Sequence, residues 1–120
     1  MDNTREKGHK GEDIAAEYLI KSGYRIRNRN WFAGKNEIDI IAETKEFLIF
    51  VEVKSAQAGY YVHPRESVTV AKQRGIIMAA SVYTKRFNIN KESRFDIISV
   101  ITGIEPPEIE HIEDAFYPTL

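Results

Sequence analysis

The sequence predicts an α/β fold in which a central mixed sheet of about five strands is flanked by helices, in the order αβββαββ. Apolar residues recur every three or four positions in two segments, as in amphipathic helices. Runs of aromatic and β-branched residues, typical of strands, fill the intervening segments. At 120 residues the chain has about the length of one domain with one core. We therefore expect a single domain over residues 1–120.

The first helix and the first strand are predicted in the N-terminal quarter of the chain. The helix spans residues 11–22, and Gly23 follows as a stop signal. Residues 24–29 then alternate as in a half-exposed edge strand, before a turn over residues 30–36. This alternation places three basic residues on one face: Arg25, Arg27 and Arg29.

Two strongly apolar segments follow, residues 37–43 and residues 47–54, and both are predicted as buried strands. The first contains Asp39, and the second contains Glu52 and Lys54. Burying an unpaired carboxylate costs roughly several kcal/mol, so such a group is usually paired, neutralised or bound to a metal. These charges therefore mark a candidate site.

The loop between these strands sets their pairing. A two-residue loop over residues 45–46 would pair Thr44 with Phe47, and the same register then puts Asp39 opposite Glu52. Opposed residues of an antiparallel pair have Cβ atoms about 5 Å apart, so both carboxylates would reach one ion. The lysine two positions after Glu52 shares their face.

A second helix and two more strands are predicted in the C-terminal half. The helix is expected to begin near Ser67 or Thr69, either of which can cap it, and to end near Lys85. Strands are predicted over residues 94–101 and around residues 108–116. The stripe predicted for one helix face is Val70, Gln73, Arg74, Ile77, Ala80 and Ser81.

The candidate ligands favour a hard divalent cation. Asp39 and Glu52, with Glu12 as a third candidate, offer carboxylate oxygens, which suit Mg²⁺ or Mn²⁺. Lys54 could orient an attacking water or stabilise charge that develops on a phosphoryl group. A salt bridge of Lys54 with either acid is the alternative, but three charges on one face of two apolar strands favour a site. For Glu12, the alternative is a favourable interaction with the helix dipole.

Other chemistries find little support in the sequence. The chain has no cysteine, and its histidines lack ligand spacing. It contains neither a Gly-x-Ser-x-Gly elbow nor a Gly-x-x-x-x-Gly-Lys loop, so no nucleotide cofactor is expected. Its apolar runs are too short for a membrane helix, and residues 1–11 lack the apolar core of a signal peptide. We expect a cytoplasmic protein with no membrane association.

Net charge is a weak argument against nucleic acid. The chain carries a formal charge of −1, but residues 103–120 hold five acids and no lysine or arginine. Residues 1–102 therefore hold 17 basic and 13 acidic side chains, a net charge of +4. On charge alone, a solvated surface of mixed sign is an equally good interpretation.

The full set of motifs resembles the YraN-like family, within the PD-(D/E)xK nuclease superfamily and related to the archaeal Holliday junction resolvases. The motifs are Gly11-Glu-Asp-Ile-Ala-Ala-Glu-Tyr-Leu19, Gly23-Tyr24, Arg29-Asn-Trp31, Asn36-Glu-Ile-Asp-Ile-Ile-Ala42, Phe50-Val-Glu-Val-Lys54, Glu66-Ser-Val-Thr69 and Arg94-Phe-Asp96. Three positions depart from the common pattern: Ile38 replaces proline, Asn36 replaces glycine and Ser55 replaces threonine. None of these departures removes a ligand.

The resemblance implies a restriction-endonuclease-like core and a divalent-metal-dependent endonuclease that hydrolyses phosphodiester bonds in DNA, including branched or junction DNA. It assigns the catalytic set to Glu12, Asp39, Glu52 and Lys54. It adds the backbone carbonyl of Val53 as a metal ligand beside Asp39 and Glu52, with Glu12 acting through a water. A noncatalytic nucleic-acid-binding or protein-adaptor module on the same scaffold is the rival interpretation.

The contact surface and the oligomeric state stay open. Residues that could contact DNA, or simply form a solvated face, are Arg29, Lys35, Lys72, Gln73 and Arg74. Residues 55–66 could form a flap over the substrate, a dimer contact or an ordinary exposed loop. An edge strand could pair across a two-fold axis in a homodimer or face water.

Overall fold

A computed structural model of the protein describes residues 4–59 and 63–118, with residues 4–9 described by their backbone alone. The elements are α1 (Thr4–Lys21), β1 (Arg25–Ala33), β2 (Asn36–Glu43), β3 (Phe47–Gln57), a short 3-10 helix (Pro64–Ser67), α2 (Val70–Arg86), β4 (Glu92–Thr102) and β5 (Glu108–Phe116). The predicted α/β fold and its αβββαββ order are confirmed. The strands form one sheet in the order β1-β2-β3-β4-β5, in which β3 and β4 are parallel and the other neighbours are antiparallel.

The sheet is covered on both faces, each by one helix. On one face α1 packs Ala15 and Leu19 against apolar side chains of β2, β3 and β4. On the other face α2 packs Ile76 and Tyr83 against the alternate side chains of the same strands. Burial on both faces explains why the central strands are nearly continuous apolar runs. A charged side chain on these strands therefore lies in one of two cores or at the rim of the sheet.

The predicted hairpin between β2 and β3 is confirmed. Thr44 N–H donates to the carbonyl oxygen of Phe47 at 3.0 Å, which closes the two-residue loop. The register runs from Glu43 opposite Leu48 to Ile40 opposite Val51, as the sequence predicted, but it ends before the predicted pair of Asp39 and Glu52.

Three predicted boundaries are corrected. The first helix begins at Thr4, well before Gly11. The turn predicted over residues 30–36 is wrong, since β1 continues to Ala33 and the turn contains only Gly34 and Lys35. Of residues 55–66, the first three extend β3 and the last three begin the 3-10 helix, while residues 60–62 lie outside the described part of the chain.

The prediction that Arg25, Arg27 and Arg29 share one face is wrong. A register shift between Ile26 and Asn28 interrupts the alternation of β1. Arg27 therefore reaches the Tyr83 hydroxyl of α2 at 2.9 Å, whereas Arg29 reaches Asp13 of α1 at 2.7 Å, on the other side of the sheet. The bulge divides the arginines between the two faces.

The predicted cap of the second helix is confirmed, but its inner face is partly wrong. Thr69 Oγ1 accepts from Lys72 N–H at 3.1 Å, so Thr69 and not Ser67 is the N-cap. Val70 and Ser81, which were assigned to the stripe, are exposed. The buried face of α2 is rotated relative to the predicted stripe, because the residues that pack on the sheet decide which face is buried. The buried residues of the helix are Ile76, Ala79, Ala80 and Tyr83.

Two buried acids outside the predicted site hold elements together. Glu43 accepts hydrogen bonds from Arg25, from Arg27 at 3.2 Å and from Lys91 at 2.9 Å. Burial alone would raise the pKa of the Glu43 carboxyl, but the hydrogen bonds outweigh it and lower the pKa to about 2. The group joins the edge strand β1 to β2 and to the chain preceding β4.

Asp96 is the second of these acids and is completely buried. It accepts two hydrogen bonds from Arg94, at 2.9 and 2.8 Å, and one from the backbone N–H of Asp114 at 3.0 Å, and it contacts Nε2 of His111 at 2.7 Å. These bonds overcome the effect of burial and hold the pKa of Asp96 below its ordinary value. Because Asp114 and His111 belong to β5, this network fastens the last strand to β4.

None of the helices within residues 4–59 and 63–118 combines the length and the apolar character needed to cross a membrane.

Candidate functional site

The site lies where β2 and β3 separate. The backbone pairing of the two strands ends at Ile40 and Val51. The residue before Ile40 is Asp39, whose carboxylate accepts a hydrogen bond from Val53 N–H at 2.8 Å. Ile38 packs in the α2 core and Ile40 in the α1 core, although residues two apart on a regular strand share a face. The strand is thus irregular at Asp39, and the irregularity brings this side chain against β3.

Glu52 is the buried partner of Asp39. Its side chain is only 4% exposed, and its Oε1 has no hydrogen-bond partner among the described residues. Burial, the nearby charge of Glu52 and a hydrogen bond between the two carboxyl groups raise the pKa of Asp39 from 3.8 to about 8. Two ionised carboxylates would repel each other in this desolvated place, and a bound cation would relieve that repulsion.

Two lysines approach the same oxygen of Glu52. Lys54 Nζ lies 3.6 Å from Oε2, as the period of two along β3 predicted. Lys72 Nζ, which comes from the first turn of α2, lies 3.8 Å from this oxygen. The crossover from β3 through α2 to β4 therefore brings a second ammonium group to the acid, which sequence spacing alone does not reveal.

Glu12 is linked to Glu37, an acid of the groove wall, through the side-chain amide of Asn30. Its Oε1 accepts from Asn30 Nδ2 at 2.8 Å, and the same nitrogen donates to Glu37 Oε2 at 3.1 Å. The charge of Glu37 in turn contributes to the raised pKa of Asp39. Asn30 has a φ of 50°, a left-handed conformation that asparagine tolerates better than most residues. This backbone conformation sets the position from which its amide spans the two carboxylates.

An open groove of about 540 Å³ adjoins the acids. It runs between the β1–β2 turn and the start of α2, and its lining includes Lys35, Lys72 and Glu37. The full lining is Phe32, Lys35, Asn36, Glu37, Thr69, Ala71, Lys72, Gly75 and Ile76. Lys72 approaches Glu52, and the charge of Glu37 acts on Asp39, so two residues of the groove wall also belong to the surroundings of the acid pair.

The five candidate contact residues are brought together only in part. Lys35 and Lys72 line the groove, whereas Arg29 pairs with Asp13 on the α1 side. The amide of Gln73 donates to the carbonyl oxygen of Val68 at 3.1 Å, where it supports the start of α2. The fifth residue, Arg74, is exposed on the same helix.

The donor set suits a hard divalent cation that keeps much of its water. In the described part of the chain, three histidine or acidic side chains nowhere come close enough together to hold an ion by themselves. Asp39 and Glu52 would supply two carboxylates, and Mg²⁺ is commonly held by one or two carboxylates together with waters. The partnerless oxygen of Glu52 is consistent with such a ligand. The contribution of the Val53 carbonyl stays a prediction.

Asn30, Glu37 and Phe32 are the residues of this region to which the sequence assigned no role. Asn30 and Glu37 lie within the motifs Arg29-Asn-Trp31 and Asn36-Glu-Ile-Asp that carry the resemblance. Phe32 follows directly and is 57% exposed, an uncommon position for an aromatic ring on a strand. Its exposure was hidden by the turn predicted at residues 30–36.

The chain belongs to the YraN-like family described as "Uncharacterised protein family UPF0102", which it matches over residues 11–100. A UPF0102 protein of Phocaeicola vulgatus is 44% identical over 120 residues, covering 100% of this chain and 99% of that protein. A UPF0102 protein of Bacteroides fragilis is 45% identical over 113 residues, covering 94% and 93%. One from Rhodococcus opacus is 40% identical over 111 residues, covering 91% and 94%.

Among solved structures, that of Pyrococcus furiosus SfsA in complex with Ca²⁺ matches with a TM-score of 0.35 and 18% identity. The match covers 92% of this chain and 63% of the SfsA chain. A similarity at this level adds nothing to the assignment of function.

Proposed function

We propose that this protein is a divalent-metal-dependent endonuclease that hydrolyses phosphodiester bonds in DNA, branched or junction DNA included. One observation carries the proposal: Glu52, buried in an apolar strand with a partnerless oxygen among the described residues, faces the raised-pKa carboxyl of Asp39. If the acid pair had only a structural role, a hydrogen-bond donor at that oxygen would stabilise the fold, because a buried acceptor without a hydrogen bond costs about 1–3 kcal/mol. The resemblance to the PD-(D/E)xK nucleases supports the same conclusion.

Each residue of the site has a definable role in this proposal. Asp39 and Glu52 would hold Mg²⁺ or Mn²⁺, which when bound lowers the pKa of a coordinated water and neutralises phosphate charge. The hydrogen bond from Val53 N–H fixes one oxygen of Asp39 and so orients its carboxylate. Lys54 places an ammonium group beside Glu52, where it can stabilise charge on a phosphate oxygen. Glu12, through Asn30, holds the outer acid Glu37 in place.

The proposal is tested by incubating the purified protein with supercoiled, single-stranded and branched DNA in Mg²⁺ or Mn²⁺. We expect cutting of at least one form, and a loss of about 100-fold or more in Glu52→Gln and in Lys54→Met. Glu46→Gln and Lys45→Met are matched controls, because both residues are exposed in the β2–β3 loop, and they should cut like the wild type. Equal cutting by Glu52→Gln and Glu46→Gln would overturn the proposal.

A noncatalytic binding or adaptor module is the second candidate, and one observation favours it. Lys54 and Lys72 already lie within 4 Å of Glu52 Oε2, at 3.6 and 3.8 Å, as a purely structural ion pair would. A titration with Mg²⁺ or Mn²⁺ followed by thermal unfolding separates the two. The nuclease proposal expects a metal-dependent rise in Tm that Glu52→Gln abolishes, whereas the adaptor expects no such rise.

A further inference from the structure

We propose that the groove between the β1–β2 turn and α2 holds an unpaired nucleotide of the DNA, with its base against the ring of Phe32. This inference rests on the proposed action on DNA and adds the feature of the substrate that is recognised. It predicts that DNA with a single-stranded segment is preferred over a fully paired duplex.

The groove has the size and the position for this role. Its volume of about 540 Å³ lies within the roughly 300–1,000 Å³ typical of sites for small ligands. Glu37 lies in its wall and affects Asp39, and Lys72 lies in its wall and approaches Glu52 at 3.8 Å. A nucleotide in the groove would therefore lie beside two side chains that act on the acid pair.

Phe32 supplies a face on which a base can stack. Trp31, the residue before it, turns inward and packs edge-on against Tyr83 with ring centroids 5.1 Å apart. Phe32 does not pack in this way: it lines the groove and is 57% exposed. Every base has a π-face that can stack on an aromatic ring, but in a duplex both faces are already covered by neighbouring bases. An exposed ring in this groove thus favours unpaired nucleotides.

The charges of the groove fit the backbone of such a strand. Three charged residues line it: Lys35 from the turn and Lys72 from α2 are cations that can contact phosphate, and Glu37 is the one acid. Thr69 and Ala71, at the start of the helix, complete that wall. An aromatic ring combined with basic side chains is the usual arrangement for single-stranded nucleic acid, whereas a groove for an apolar peptide would not need the lysines.

Binding is measured by fluorescence anisotropy, in EDTA, with labelled single-stranded DNA, blunt duplex and duplex carrying a single-stranded overhang. The wild type should bind the overhang and single-stranded probes more tightly than the blunt duplex. Phe32→Ala and Phe32→Leu should weaken binding of the unpaired probes roughly fivefold or more, with the blunt duplex unaffected, and Phe32→Tyr should retain the preference. The matched control is Tyr117→Ala, since Tyr117 is 64% exposed after β5, at the opposite end of the strand order, and it should change nothing.

Three results would overturn the inference: no preference for unpaired DNA, wild-type binding by Phe32→Leu, or an equal loss on paired and unpaired probes. Lys35→Ala provides a second check, because it should weaken binding of the unpaired probes while Lys45→Ala, in the β2–β3 loop, should not. The result is separable from that of the cutting assay. Cutting without any preference would overturn this inference alone, and a preference without cutting would overturn the nuclease alone.

Discussion

Replacing Asp39 by asparagine tests whether burial and the neighbouring Glu52 oppose ionisation of Asp39 in the folded chain. The asparagine would keep a side-chain oxygen that can accept from Val53 N–H, the bond that Asp39 makes at 2.8 Å. It would remove the charge that burial and Glu52 oppose. We therefore expect Asp39→Asn to stabilise the metal-free protein against urea, in contrast to most substitutions at a buried acid.

The magnitude follows from the pKa of Asp39, which rises from 3.8 to about 8 on folding. A group with a raised folded pKa contributes stability fully below its unfolded pKa, and this stability is lost as the pH rises through the folded pKa. At about 1.36 kcal/mol per pKa unit, the loss reaches about 4 kcal/mol at pH 7 as an upper limit, because water entering the site would reduce it. The asparagine variant loses none of it.

The assay is urea unfolding in EDTA at several pH values between 5 and 8. The stability difference between Asp39→Asn and the wild type should grow over this range by well over 1 kcal/mol. Asp13→Asn is the control, since Asp13 is an exposed acid of α1 and should give a difference that does not grow. A constant difference for Asp39→Asn would show that neither burial nor Glu52 raises the pKa of Asp39, and the metal site would lose its electrostatic basis.

Three further predictions concern buried groups outside the site. Glu43→Gln should lower the free energy of unfolding at pH 7 by up to about 3 kcal/mol. The lowered pKa of Glu43 stabilises the wild type above pH 4.5, and this stability is lost as the pH falls towards 2, so the variant should lose less stability on acidification. Urea unfolding from pH 7 to pH 3 measures this, and parallel curves for variant and wild type would contradict it. Asp96→Asn should cost about 3–5 kcal/mol, since it removes the buried counter-charge of the Arg94 guanidinium and leaves only the exposed Glu113 to pair with it. The exposed Asp114→Asn should cost much less. Tyr83→Phe should cost about 1–3 kcal/mol by removing the hydroxyl that bonds Arg27 and Asn28, and a neutral result in thermal unfolding would show those bonds to be unimportant.

The hairpin that forms the site could be predicted because two local rules agree. A two-residue loop between residues 44 and 47 fixes the register, and the period of two then fixes which side chains share a face. The proximity of Glu52 and Lys54 needs nothing further. Asp39 was placed by the same counting, although the strand is irregular there and the contact is made by its side chain with Val53 N–H. Local chemistry was sufficient wherever the chain follows regular geometry.

The remaining features depend on irregular backbone or on distant contacts. The bulge after Ile26 separates Arg27 from Arg29, and no residue in that segment signals it. Asn30 adopts a positive φ within a strand that was predicted to have ended. Lys72 reaches Glu52 only because α2 crosses from β3 to β4, so their proximity depends on how the helix packs on the sheet. A sequence pattern predicts one helix or strand at a time, so it does not predict how two elements pack against each other.

A carboxylate in an apolar strand was the signal that marked the site, but burial by itself does not separate function from structure. Glu43, Glu52 and Asp96 are all less than 10% exposed, and all three lie in strands of the sheet. Glu43 and Asp96 are fully engaged by cations and donors, and their pKa values fall. Asp39 and Glu52 differ from these two acids. Within the described part of the chain one oxygen of Glu52 has no hydrogen-bond partner, and the pKa of Asp39 is raised. A buried acid whose bonds are complete stabilises the fold, whereas one whose bonds are incomplete has an oxygen available for a ligand.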